Sequence, residues 1–439
     1  MPVQKLISKL SQNKEKYLIF ALIESILLLL LFIHRLTDVK QILSPLVFPD
    51  TANQERILQK NQREVFGFAP YWVFDRRLDN VDFSVLTTFA YFGIDVLDTG
   101  YLNKKNDAYR VFNSRRATDI FSKAHRNGTK VVLTLTQMDN ATITKFLDNP
   151  SAWKRSSTEA AAEVKRRGID GVNVDFEYVG NPGSSYRRKF SDFVRILTTE
   201  MHRNLPDSRV TVSVYASSAK EPKLYDIGAL ANDSDGIFMM AYDYATTTAE
   251  KVMPTSPLYG YKEGKYWYDV STAIEDFLKE MPAEKLILGV PWYGYNYAVA
   301  SPEINASVNR GYYTWRRIGR RNIRVFNPQR GTAQTYSALK NKISVTPQEG
   351  ETLLSGWDDI GQVGWQAYKS RGVWRMIFIE DSRSLGVKYD FAISKNLGGI
   401  GIWALGFDQG GEFWQVLAEK YGRKLAENNR VSKKINKNI

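Results

Sequence analysis

Gly168-Ile169-Asp170-Gly171-Val172-Asn173-Val174-Asp175-Phe176-Glu177 is the stretch that decides the fold. Side chains alternate across a strand, so Asn173, Asp175 and Glu177 share one face while Val172, Val174 and Phe176 share the other. Both faces are those of a buried strand, and burying acids there is expensive unless they are paired or used in chemistry. Apolar residues would pack more cheaply. The segment therefore reads as a catalytic strand, with Glu177 at its C-terminal end, Asp175 one step deeper and Asn173 below that. Asp170 has the opposite parity and lies near the strand's start, which suits a structural role.

Outward from this strand, β-type runs recur at Val65–Tyr71, Leu86–Ile94, Lys130–Gln137, Arg209–Ser217, Gly236–Tyr244, Leu286–Tyr293 and Gly399–Leu405, which makes eight in all. Helix-type segments such as Ala117–Asn127, Ser156–Arg167, Ser185–Asn204 and Val270–Glu280 lie between most of them. Eightfold strand–helix alternation predicts a closed α/β (β/α)8 TIM barrel. An open doubly wound sheet is the competing architecture, but Phe66-Gly67-Phe68-Ala69-Pro70 runs into Tyr71-Trp72 with no glycine-rich phosphate turn. The seventh and eighth strands stand too far apart for one helix, so a small α+β insertion is expected at about 298–375. Arg316, Arg317, Arg320, Arg321 and Arg324 crowd into it, either as solvated surface or for an anionic ligand.

The 439 residues leave room for one large domain and extras, and 43% hydrophobic with 13% aromatic content is that of a globular core. Cysteine is absent, which excludes disulfides and thiolate metal sites. A net charge of +13 suggests an anionic partner or surface. Residues 1–16 are a basic, cytoplasmic N-terminus. The apolar run 17–34 meets the length of a transmembrane helix, and Lys5, Lys9, Lys14 and Lys16 before it favour a signal anchor with an exported remainder. A cleaved signal peptide and secretion are the alternative, and Glu24 is costly inside a span. Residues 35–62 read as a linker, 63–420 as the catalytic domain and 421–439 as a basic tail. No nucleic-acid-binding motif is present, and oligomeric state is not legible.

In a barrel, chemistry sits at the C-terminal strand ends. There Glu177 and Asp175 meet Met240, Tyr242 and Asp243 of the sixth strand, Tyr293 at the end of the seventh and Trp403 on the eighth. Carboxylates supply acid–base chemistry, and aromatic faces stack on sugar rings.

On these residues the chain resembles family 18 glycoside hydrolases, the chitinase-like barrels. Asp170–Glu177 looks like the D-x-x-D-x-D-x-E signature. Met240, Tyr242 and Asp243 match M-x-Y-D, Pro291 and Tyr293 resemble P-x-Y-G, and Trp403 resembles the eighth-strand Trp. Glu380-Asp381-Ser382-Arg383-Ser384-Leu385 is similar to the acidic-Ser stretch before the last helix, and the α+β insertion is a family feature. The family's middle Asp is Asn173 here, which looks most like the bacterial branch with spore-cortex and cell-wall N-acetylglucosaminidases.

The resemblance implies retaining, substrate-assisted hydrolysis of β-1,4 bonds next to N-acetylglucosamine in peptidoglycan-like or chitin-like glycans. Glu177 would be the acid–base, Asp175 its electrostatic partner and Tyr242 a holder of the acetamido group. Asp243, Met240, Trp403, Tyr293 and Asn173 would contact substrate, with no metal or organic cofactor needed. Asn173 is expected to donate a hydrogen bond to Asp175 and, being neutral, to make Asp175 easier to ionise. A glycan-binding protein without activity on the same barrel is the alternative.

Overall fold

The structure, a computed structural model, describes residues 63–319, 321–344, 353–370 and 372–422. The expected membrane segment 17–34, the linker 35–62 and most of the basic tail lie outside the described residues. Among the described residues no helix is long and apolar enough to cross a membrane.

Seven barrel strands come first: β1 Glu64–Pro70, β2 Thr88–Asp95, β3 Lys130–Gln137, β4 Gly171–Phe176, β5 Arg209–Tyr215, β6 Gly236–Met240 and β7 Leu286–Pro291. A lobe follows with β8 Tyr293–Val299, β9 Gly311–Ile318, β10 Arg321–Pro328, β11 Thr332–Thr335, β12 Leu353–Asp358, β13 Val363–Ser370 and β14 Val373–Ile379, and then β15 Gly399–Trp403. The seven strands and β15 close a barrel in the order β1-β15-β7-β6-β5-β4-β3-β2, each pair parallel. In the lobe, β11-β8-β14-β13-β12 form one antiparallel sheet and β9-β10 a separate hairpin. The excursion opens at Tyr293, ahead of the 298 read from sequence, because β8 follows β7 directly yet pairs only with lobe strands.

Local chemistry explains the helix that delivers β4. Asn149 caps Pro150–Arg167 by accepting from the Ser151 and Ala152 amides, proline opens its first turn, and Lys165, Arg166 and Arg167 close its last. Gly168 ends it in the left-handed conformation. At Gly171 the backbone has φ +154°, and a Cβ there would lie 2.0 Å from the Arg209 carbonyl oxygen, so the turn into β4 requires glycine.

Valines and other apolar residues of odd or even parity, such as Val172, Val174 and Phe176 on β4 and Val210, Val212 and Val214 on β5, face the helices in one large core. The opposite parity fills the barrel with Phe66, Phe68, Ala90, Phe92, Val132, Phe238, Met240 and Ile287. Phe238 is the plug. A Cβ on Gly401 would come within 2.0 Å of its ring and one on Gly289 within 2.5 Å. Gly401→Ala is accordingly expected to destabilise the barrel by about 1–3 kcal/mol through overpacking, read as a lower thermal midpoint, with recovery in the Gly401→Ala/Phe238→Leu double variant. At the far mouth, Glu64 pairs with Arg209 and accepts from the Thr88 hydroxyl at 2.6 Å.

Candidate active site

Above this packed interior the C-terminal strand ends enclose a cavity of about 710 Å3. Asp175, Glu177, Met240, Tyr242, Asp243, Tyr293 and Trp403 all line it. Strand parity brings the first two in from β4, and the end of β6 supplies the next three. Trp403 closes β15 with its ring edge-on to Phe92 at 4.8 Å and Phe68 at 5.5 Å, which fixes the indole as a floor.

Asp175 is buried, and its Oδ1 has no hydrogen-bond partner among the described residues. Burial, and then the charge of Glu177, push its carboxyl well above the usual range. Glu177 is also raised, by burial first; a hydrogen bond from the Tyr215 phenol opposes the shift and the charge of Asp243 adds to it. Two acids two residues apart on one strand thus share an environment that resists ionising both. Asp243 sits at the rim in the left-handed region (φ +59°), which Asp tolerates better than most residues. Its carboxylate accepts from the Tyr293 phenol and from the Tyr295 phenol at 2.8 Å. Enclosure by protein raises its pKa although the side chain faces the cleft, and the two phenols pull it back. Tyr242 stands among these charges, edge-on to Tyr293 at 6.1 Å, its phenol pushed up by burial and then by Asp175, Glu177 and Asp243.

Asn173 departs from expectation. It is fully buried and does not line the cavity. Its amide donates to Thr211 Oγ1 at 2.9 Å, and its carbonyl accepts from the Ser213 hydroxyl at 3.1 Å. The register sets Asn173 beside Thr211, so two β5 hydroxyls, and not Asp175, are its side-chain partners. Even with a neutral residue at 173, burial and the charge of Glu177 keep the Asp175 carboxyl raised. Asp170 has the structural place assigned to it: it accepts from His125 Nε2 at 2.8 Å and from the Val131 amide at 2.7 Å, which ties β4 to its neighbours.

Several lining residues escaped the sequence reading: Tyr215, Trp72 and Trp267 among them. Trp267 is fixed by donating its indole N–H to the Tyr244 carbonyl at 2.7 Å, and its exposed face looks into the cleft. Tyr215 was legible. Thr211, Ser213 and Tyr215 alternate with Val210, Val212 and Val214, which places Tyr215 at the top of β5 beside Glu177. Because its hydrogen bond favours the charged form of Glu177, Tyr215→Phe should raise the Glu177 pKa further. The high-pH limb of the kcat/KM profile should then move to higher pH, whereas an unmoved limb would show that the phenol does not act on Glu177.

A parallel barrel whose C-terminal mouth holds an acid pair, phenols and an indole floor defines a chitinase-like glycoside hydrolase. Residues 64–408 match the family described as Glycosyl hydrolases family 18, and the chain belongs to that family. Di-N-acetylchitobiase of Rattus norvegicus is 24% identical over 374 residues, 81% of this chain and 87% of that protein. The cortical fragment-lytic enzyme of Bacillus subtilis (strain 168) is 23% identical over 317 residues, 69% of this chain and 63% of that protein. Among solved structures, the Ostrinia furnacalis Group IV chitinase in complex with allosamidin has a TM-score of 0.67 at 19% identity, covering 84% of this chain and 99% of that one. The GH18 chitinase of Cycas revoluta with (GlcNAc)3 has a TM-score of 0.66 at 21% identity, covering 82% and 100%. These likenesses show the fold.

Proposed function

We propose that the protein hydrolyses β-1,4 bonds next to N-acetylglucosamine by a retaining, substrate-assisted route, on a peptidoglycan-like glycan in preference to chitin. The observation that carries the reading is the Asp175–Glu177 pair, both carboxyls raised, at the floor of an aromatic cleft. A raised Glu177 keeps its proton to higher pH than an ordinary carboxyl, which suits a general acid for the glycosidic oxygen. Once the leaving group departs, the same carboxylate takes a proton from the incoming water. The partnerless Oδ1 of Asp175 suits an acetamido N–H: it would turn the acetamido oxygen toward the anomeric carbon and stabilise the positive charge of the oxazolinium. Tyr242 would hold the acetamido group, with Met240, Asp243, Tyr293 and Trp403 shaping the sugar's seat. The similarity to the cortical fragment-lytic enzyme and to the sporulation-specific glycosylase YdhD of Bacillus subtilis supports a wall-type polymer.

On this reading residues 17–34 hold the chain in a membrane with residues 63–420 extracytoplasmic. Incubation with purified peptidoglycan and with chitin oligomers, followed by mass spectrometry, tests the assignment. The expected products of peptidoglycan are fragments with N-acetylglucosamine at the reducing end. Retained binding with no cleavage of either polymer would instead make the protein a glycan-binding module.

A further inference from the structure

The hairpin β9-β10 joins neither the barrel nor the lobe's larger sheet. Its register pairs Tyr313 with Phe326, Trp315 with Arg324 and Arg317 with Asn322 on one face. The other face pairs Thr314 with Val325, Arg316 with Ile323 and Ile318 with Arg321. A surface hairpin ordinarily buries one of its faces. Here Trp315 is 71% exposed, Ile318 61% and Tyr313 56%, and Ile323 and Phe326 are exposed as well, so bulky apolar groups meet water on both faces. Scattered exposed apolar residues need no explanation, but five bulky ones gathered on one short ribbon mark an interaction surface.

The charge is equally one-sided. Seven arginines and no acid lie between Arg310 and Arg330, and no acid occurs from Ile304 to Gln348. Arg310 faces Glu250 at 3.5 Å, whereas Arg316, Arg317, Arg321 and Arg324 have no ion-pair partner among the described residues. Arg324 stacks on the Tyr313 ring at 3.9 Å, and that ring packs on Phe326 at 5.1 Å, so cation and aromatics form one surface. None of these residues lines the catalytic cavity.

We infer that the hairpin docks on a lipid bilayer bearing anionic headgroups. Its arginines bind the phosphates while Trp315, Tyr313, Ile318 and Ile323 enter the boundary between headgroups and acyl chains. A soluble polyanion would use the arginines but gain nothing from an aliphatic tip. A second copy of the hairpin would bring arginine against arginine. A bilayer interface accepts both halves, because aromatic rings settle at headgroup level and basic residues are drawn to its negative potential. The inference does not depend on residues 17–34 or on the reaction proposed above.

The chain has no cysteine, so Asn322→Cys in the full-length protein carries a single environment-sensitive fluorophore at the hairpin. The protein is mixed with vesicles of phosphatidylcholine, with and without phosphatidylglycerol. Flotation reports attachment of the chain by any route, and the label reports the hairpin alone. With phosphatidylglycerol present, the emission should shift to the blue and be quenched by a lipid-attached quencher. Arg316→Ser/Arg317→Ser should weaken docking by roughly twenty-five-fold at about fivefold per basic residue, while hydrolysis of soluble oligomers stays unchanged. Protein that floats with its label still in water would overturn the inference. A label that responds to soluble polyphosphate but not to vesicles would do so as well, in favour of an anionic polymer. A shift that depends only on protein concentration would also overturn it, in favour of self-association.

Discussion

Glu177→Gln is expected to abolish turnover while leaving glycan binding nearly intact. The amide has the shape of the acid but cannot deliver a proton to the leaving oxygen, and general acid–base catalysis contributes on the order of 10²–10⁴-fold. Because one residue serves both steps in the proposed route, the loss should reach or exceed the upper end of that range. The aromatic seat, with Trp403, Tyr293 and Met240, is untouched, so affinity for N-acetylglucosamine oligomers should change little by calorimetry. The same variant should be more heat-stable than the wild type near neutral pH. Burial raises the folded-state pKa of Glu177, so the wild type loses stability as pH climbs through that value and the buried carboxylate ionises. Gln carries no such cost, and the gap should close at acidic pH. Near wild-type activity in a folded Glu177→Gln protein would remove Glu177 from the mechanism.

Asp175→Asn is expected to lower kcat by about 10²–10³-fold, the scale of losing one preorganised electrostatic contact, with KM much less affected. One hydrogen bond from Asp175 to the acetamido group is a small part of ground-state binding beside the aromatic seat. The charge of Asp175 matters when positive charge develops on the acetamido nitrogen, so its removal should register in the chemical step. The substitution is close in volume and removes a buried ionisable group, so unfolding does not explain a loss of rate. Equal rises in KM with unchanged kcat would instead assign Asp175 to binding.

The barrel was legible in the sequence because its strands are short apolar runs punctuated by helices, and β4 was legible because a period of two exposed its polar row. What sequence could not supply was register across strands. Asn173 shares a face with Asp175, which invited a bond between them, but the position of Thr211 and Ser213 on β5 decides where its amide goes. Asp243 is held by Tyr293 and Tyr295 from a lobe strand about fifty residues away, a contact that no local pattern encodes. Tyr215 was missed for a different reason: its parity was readable, but a row of hydroxyls drew less notice than a row of acids. The lobe was legible mainly as an excess of chain between the seventh and eighth strands, and its hairpin buries neither face, so the burial that marks a core strand is missing there.

The most direct test of the central claim is the rate of cleavage of an N-acetylglucosamine oligomer whose reacting acetyl group is replaced in turn by mono-, di- and trifluoroacetyl. Fluorine changes the size of the group little but withdraws electrons from the acetamido oxygen. If that oxygen attacks the anomeric carbon while Asp175 steadies the nitrogen, kcat must fall steeply and progressively along the series. A rate that stays level would show that the acetamido group is not the nucleophile and would contradict the account.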